Sequence, residues 1–453
     1  MWTQRDQLQA YQFLRRRIVS ALQFGDANHP VAPGRRLIRA TAAGLGVALL
    51  VTGGFLVAAV LHPGSTADWR SPGQILVEKE TGASFVLGDD GLVHPVLNHA
   101  SARLLIGSAK ITSMSSRALA DAPRGRPLGI PGAPASLAAP DALITGPWAV
   151  CTTPGDAAAL TTAVVGASLP AARLNAGQGV VVRDPDGARY LVSDGRRLRA
   201  RTGALVALGY DAVRPRPAGS AWIRALPAGP DLTLLDVAGV GRRGPRLAGA
   251  STRVGQILLA RGVDGADRYY LVGADGLVPV GQTEAALILG NPDNRDAYRD
   301  GVPRPVDVAA ADVAASGLVA TRAKDPGFPP RLPRITPGEG PVCAGGSGTG
   351  PLALWTGPAP VPSGARALPV EAPASARTAD RVYVAPGADL LVRAGGGGTA
   401  LITDQGTRYP VAGPDDLKAL GYGDATVTSV TTGLLSLFPA GPELSRAAAR
   451  GPA

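Results

Sequence analysis

Residues 73–107 read GQILVEKETGASFVLGDDGLVHPVLNHASARLLIG, and the same grammar returns three times. GQGVVVRDPDGARYLVSDGRRLRARTGALVALGY starts at Gly177, GQILLARGVDGADRYYLVGADGLVPVGQTEAALILG at Gly255 and GADLLVRAGGGGTALITDQGTRYPVAGPDDLKALGY at Gly387. Each copy opens on a β-branched run, crosses a polar turn and enters a second apolar run. A tight turn ending in glycine follows: Asp90-Gly91, Asp194-Gly195, Asp275-Gly276 and Gln405-Gly406. Asp-Gly between apolar runs predicts a hairpin, because glycine takes positive φ without a Cβ clash. A third run leads into a stretch such as ASARLLIG or PDDLKALG, with helical spacing and a glycine stop. The unit reads as two or three short strands and one helix in about 35 residues. So small a unit buries little surface alone and must pack on a neighbour. The aspartates here are turn formers rather than catalytic carboxylates.

The sequels extend the pattern. LGYDAVRPRPAGSAWIRALPAGPDL from Leu208 matches LGYGDATVTSVTTGLLSLFPAGPEL from Leu420, with PAGP at one offset. KITSMSSRALADAP after the first copy resembles RPVDVAAADVAAS after the third. The chain therefore reads as a duplicated half with two repeats in each, giving a pseudo-twofold body with connecting strands in the middle and repeats outside. Cys151, in GPWAVCTT, and Cys343, in EGPVCAGG, fall at matching points of the two halves. A twofold axis would bring them together, and a disulfide between them suits an oxidising compartment. The alternative is two unrelated buried thiols.

Upstream, residues 40–61 form the uncharged, proline-free run ATAAGLGVALLVTGGFLVAAVL. As a helix it spans roughly 33 Å, enough for a bilayer core. A cleaved signal peptide is disfavoured by a run too long for its apolar region and a leader of nearly forty residues. Arg35, Arg36 and Arg39 precede the run and His62-Pro63-Gly64-Ser65 follows it, so the positive-inside rule puts the N-terminus in the cytoplasm. The bulk of the chain then lies on the outer face. Before the span, Leu8, Tyr11, Leu14, Ile18 and Leu22 recur at three and four, an amphipathic helix with Arg15, Arg16 and Arg17 in its middle. Asp26 to Pro30 breaks it, and Pro33-Gly34 makes a hinge. Such an arm can lie on anionic headgroups or dock on cytoplasmic partner subunits.

Composition excludes other classes. With 45% apolar residues among 453, a core is affordable; with 60 Gly and 41 Pro, a helical bundle is not. The net charge of +10 is no nucleic-acid signature: seven arginines fall in the first 39 residues, beside the apolar run, and aromatics are scarce. No lysine follows a glycine, so the Gly-Lys-Ser/Thr of a P-loop is absent. GVGRRG at Gly239–Gly244 fits a dinucleotide fingerprint on paper, yet Pro245 follows and no helix opens there, so it reads as an exposed loop. Gly395 to Gly398 reads as a flexible turn. Of four histidines only His94 and His99 are close, one on a strand and one opening a helix, and no cysteine stands near them to complete a zinc site. No nucleophile elbow occurs. No catalytic, metal or cofactor-binding residue is expected. Trp148, Trp222 and Trp355 are scattered and expected to pack between repeats.

The opening QRDQLQAYQFLRRRIVSAL, the span, and repeats of the form GQIL…YYLV…DGLVPV resemble the EccB family, a core membrane component of the actinobacterial ESX, or type VII, secretion system. PRGRPLGIPGAP and ALPAGPDL are also similar to that family, and the likeness runs from about Gln4 to Leu444. It implies an α+β protein: one transmembrane helix, then an extracytoplasmic domain of four repeats around a β-rich core with one disulfide. It implies assembly with the EccC motor ATPase, EccD, EccE and the mycosin protease MycP, and copies of itself, with no nucleic acid. The expected boundaries are an arm at 1–39, span 40–61, linker 62–72, and repeats at 73–108, 177–212, 255–291 and 381–424. Core segments fill 109–176, 213–254, 292–380 and 425–453. The expected role is a non-catalytic scaffold. The alternatives are an ATP-hydrolysing component, an activity ascribed to the family that would make ATP the one cofactor, and a wall-binding anchor.

Overall fold

The computed structural model describes residues 3–28, 35–61, 68–107, 110–317, 319, 327–371 and 375–451. The chain divides into two units, Met1–Asp68 and Trp69–Ala453. The first is helical. Helix α1, Gln4–Phe24, starts with a capping box: Asp6 N–H donates to Thr3 Oγ1, and Thr3 N–H donates to the Asp6 carboxylate at 3.0 Å. Gly25, at φ 69°, ends it in the left-handed conformation that a side chain would oppose. Helix α2, Arg35–Leu61, has 27 residues. The Pro33-Gly34 hinge and the first six linker residues lie outside the described residues.

The second unit repeats one sheet four times. In repeat one the strands Ile75–Glu78, Ser84–Leu87 and Val93–Pro95 run antiparallel, helix His99–Ile106 crosses over, and Ile111–Met114 returns parallel to the first strand. The spatial order is third, second, first, fourth in every repeat. The fourth strands are Arg216–Pro217, Val306–Val308 and Thr428–Val430 in repeats two to four, all parallel to the first strand of their own sheet. They lie beyond the expected repeat ends, inside segments expected to form the centre, so the unit is longer than its sequence signal. Two to four residues are too few to display a period, and their partner strand is remote in sequence.

Each unit closes with a return segment beside its third strand. The bridges Val93 to Arg124, Arg197 to Ala228, Leu277 to Val319 and Arg408 to Ala440 are equivalent. This explains the fixed offset of PAGP. Arg197 N–H donates to Pro227 O and Arg408 N–H to Pro439 O, each at 2.9 Å. The proline supplies an acceptor and brings no competing donor.

The centre is a six-stranded sheet in the order Ala353–Thr356, Val342–Gly346, Trp148–Thr153, Leu160–Val165, Arg381–Val384 and Leu368–Pro369. The two halves meet at its middle, where Val342–Gly346 pairs antiparallel with Trp148–Thr153. An antiparallel pair carries a local twofold axis, and the rest of the body follows it. Alternation sorts the side chains. Trp148, Val150, Ala163, Val165, Val342 and Val382 face the large core shared with repeats two and four. Ala149, Cys151, Val164, Cys343 and Tyr383 face the other side, under Ala359, Val361 and Ala365.

Repeat one packs on repeat four, and repeat three on repeat two. Ala100 and Leu104 join Leu391, Leu401 and Leu420 in one cluster; Leu205 joins Leu287 in another. The body is therefore a row, one–four–centre–two–three, with the twofold at its middle. The expected arrangement of repeats outside a connecting sheet is what forms, although segments 213–254 and 425–453 give that centre short helices, Ser220–Ala225 and Thr432–Leu435, instead of strands.

Candidate functional site: anchor and twofold body

On α1 the predicted residues Leu8, Tyr11, Leu14, Ile18 and Leu22 are all more than half exposed, Leu22 at 83%. Arg15 shares the face of Tyr11, Ile18 and Leu22 by its spacing, while Arg16 and Arg17 turn away. Arg17 lies over the Phe13 ring at 5.7 Å. Phe13 and Phe24 are further exposed apolar residues outside the periodic stripe. The Thr3 hydrogen bonds hold the Asp6 carboxyl below its usual range.

In α2 the helix starts before the apolar run, so Arg35, Arg36 and Arg39 form its first turns. The window Leu37–Leu56 is long and apolar enough to cross a membrane, and none of it is buried by protein. Thr41 and Thr52, its hydroxyl residues, each donate to the carbonyl four residues back, Leu37 O and Ala48 O, at 2.7 Å. A helix satisfied within itself in this way suits hydrocarbon.

Cys151 and Cys343 are register partners in the two central strands and are disulfide-bonded, with Cα atoms 4.0 Å apart. Trp222, at the core side of the same sheet, donates from Nε1 to Val150 O at 3.0 Å, and Trp148 meets Phe438 edge-on at 5.9 Å. Trp148, Trp222 and Trp355 are all buried in the centre. The one sequence signal for Phe438 is its place before the second PAGP, matching Leu226, which marks it as a core position.

The repeat turns differ among themselves. Asp194 and Gly195, at φ 49° and 70°, form a two-residue hairpin turn between Arg189–Ser193 and Arg196–Ala200. In the other three repeats the glycine lies at or one residue before the end of a longer loop. Gly91 and Gly406 have positive φ; Gly276 does not, so the expected left-handed conformation is absent at that one turn. Gly195 and Gly406 also seat their turns on the centre. A Cβ at Gly195 would lie 2.3 Å from Leu352 O, and one at Gly406 2.1 Å from Val382 Cγ2. Asp90 holds His94, whose Nε2 is 3.1 Å from the carboxylate and whose Nδ1 is 2.8 Å from Arg126 O. This pair ties the second turn of repeat one to its return segment. His99 accepts from Arg103 Nε at 3.1 Å, and burial with the Arg103 charge keeps its pKa low.

Three repeats carry a groove at one equivalent place, between the tip of the first hairpin and the start of the helix. Their volumes are 510, 570 and 600 Å³, beside Gly82, Gly265 and Gly395. Among the described residues no group of three or more His, Cys, Asp or Glu is placed to hold a metal ion. GVGRRG is not a plain loop: its last residues enter the strand Arg243–Leu247 of a separate hairpin. The Gly395 to Gly398 turn lies where expected, between two strands of repeat four.

A buried carboxyl escapes any reading of the sequence. Asp389 is 3% exposed and accepts from Ala138 N–H at 2.8 Å, while Tyr422 OH donates to Ala138 O at 2.8 Å. Burial first, then the Asp404 carboxylate, raise the Asp389 pKa, against the Ala138 and Tyr422 hydrogen bonds. These contacts tie repeat four to the segment entering the centre. No local pattern announces a pair 251 residues apart.

Among the described residues, one helix long and apolar enough to cross a membrane and a disulfide-closed twofold body of four repeats define the class, a repeat-built α+β body carrying one candidate membrane span. The family model described as "Type VII secretion system ESX-1, transport TM domain B" matches residues 1–451. The chain is 30% identical over 486 positions to the ESX-3 secretion system ATPase EccB3 of Mycolicibacterium smegmatis, covering 98% of this chain and 89% of the relative. It is 28% identical to the ESX-5 secretion system ATPase EccB5 of Mycobacterium tuberculosis, covering 98% and 92%. It superposes on a chain of an intact ESX-5 inner membrane complex with TM-score 0.68 at 28% identity, covering 100% and 96%, and on the EccB3 dimer of the ESX-3 core complex with TM-score 0.67 at 28% identity, covering 83% and 99%. The chain belongs to the EccB family of type VII secretion components.

Proposed function

We propose that this chain is a structural subunit of an ESX secretion complex in the cytoplasmic membrane. The observation that carries this reading is the match of the whole chain, span and body together, to a chain of an intact ESX-5 inner membrane complex. A match to a periplasmic assembly of the same complex, over 86% of this chain, supports placing the body outside, with arm α1 in the cytoplasm. The body pairs with copies of itself, as the EccB3 dimer does. Arm and span meet the EccC-type ATPase, EccD and EccE, and the body faces MycP. Transport energy comes from the ATPase partner.

The name of the relatives favours a second reading, ATP hydrolysis by this subunit itself. One experiment separates the two. Deleting Met1–Arg17 while keeping the span is expected to leave a folded body but block complex assembly and secretion. Measured beside it, the purified full chain is expected to show no ATP turnover. Turnover removed by a point substitution within the body would establish the second reading, and normal assembly without the arm would end the docking part of the first.

A further inference from the structure

The four repeats share one strand order, so side chains found in only one of them are not required by it. The third strand of repeat two is the outlier. By its bridges, Arg196, Arg199 and Arg201 stand where repeat one has Leu92, Pro95 and Leu97, repeat three has Gly276, Pro279 and Gly281, and repeat four has Thr407, Pro410 and Ala412. Proline is accommodated at the middle position because the return segment accepts hydrogen bonds from Arg197 and Arg201 but not from Arg199. Arg197 serves the fold, since its Nε donates to Leu226 O at 3.1 Å, as Arg408 Nε does to Phe438 O at 3.0 Å. The other arginines make no such bond. Arg196, Arg199 and Arg201 are exposed, and so is Arg224 on the neighbouring helix; among the described residues none of these four guanidinium groups has a hydrogen-bond or ion-pair partner. Arg224 occupies the position of Ser436 in repeat four.

Between this strand and helix Ser220–Ala225 lies a groove of about 360 Å³, lined by Arg197, Arg199, Arg224 and Tyr190. Asp184 and Asp186, from the tip of the first hairpin, also line it, Asp184 accepting from Ala188 N–H at 2.8 Å. Planar guanidinium forks match carboxylates in bidentate geometry. A densely charged phosphate polymer or an anionic bilayer would meet the two aspartates. An acidic peptide presents carboxylates at intervals, with N–H donors between them for the two aspartates.

We propose that the groove of repeat two is a docking site for an acidic, extended peptide segment of a neighbouring protein, held by Arg199 and Arg224. The proposal rests on the scaffold reading only for the source of that peptide. The test uses the isolated full chain in detergent with a fluorescent hexaglutamate probe, so its failure leaves assembly unaffected. Binding is expected to weaken as salt screens it. Arg199→Pro and Arg224→Ser, residues that sister repeats already carry at the equivalent positions, are each expected to weaken binding about tenfold. Pyrophosphate and phosphatidylglycerol vesicles serve as parallel arms. The proposal is overturned if hexaglutamate does not bind, if both variants bind it like the parent, or if only pyrophosphate or vesicles bind.

Discussion

At the residue scale, Cys151 and Cys343 occupy the point where the two halves are in register, so their bond joins strands 192 residues apart. In the chain-entropy model a loop of that length contributes about 5 kcal/mol. Cys343→Ser is expected to lower the denaturant midpoint by a comparable free energy and loosen the halves while each repeat keeps its sheet. An unchanged midpoint, read by tryptophan fluorescence in non-reducing urea, would contradict this. Asp389 gives a prediction of the opposite direction. Its folded pKa is raised by burial, so the native state binds more protons than the unfolded chain, whose Asp titrates near ~3.9. Stability is then greatest below the unfolded pKa and falls as pH rises through the folded one. Asp389→Asn keeps an acceptor for Ala138 N–H and removes the charge. Its thermal midpoint is expected to exceed the parent's at neutral pH and to depend less on pH from about pH 4 upward. Parallel curves for parent and variant would refute the assignment.

At the scale of elements, helix meets helix where repeats two and three touch. A Cβ on Gly290, which ends helix Gln282–Leu289, would come 2.2 Å from Ala207 Cβ on helix Thr202–Ala207. Backbone conformation does not demand glycine there, since its φ is −75°. The demand is contact distance alone. Gly290→Ala is expected to destabilise the body by about 1–3 kcal/mol through overpacking. Adding Ala207→Gly should return most of that loss in a double-mutant cycle of urea unfolding. A neutral single variant would show that the helices simply move apart. The same scale explains which elements were legible. First and second strands carry β-branched runs, and the helices carry three-four spacing with a glycine stop, so both read directly from the chain. The fourth strands do not, because a segment such as Arg216–Pro217 becomes a strand only when the first strand, remote in sequence, offers it an edge.

For the whole molecule, the span and the body set a topology that can be checked in cells. Both native cysteines are disulfide-bonded, so neither competes for a thiol reagent. An added cysteine near Ser65 is expected to react with a membrane-impermeant maleimide applied to intact cells, and one near Ala27 only after lysis. The reverse pattern would invert the orientation. The amino-acid sequence by itself determined the apolar span, the four repeats, their pairing into halves and the two cysteines as a matched pair, because each is a local composition or a spacing that recurs. Tertiary structure alone decided the row of one–four–centre–two–three, the length of each unit, the burial of Asp389 and the arginine-lined groove of repeat two. Those depend on which faces are left uncovered after each small sheet has formed. A sheet this small cannot bury its own helix face and must take a neighbour, and the twofold pairing of the central strands determines which neighbour that is.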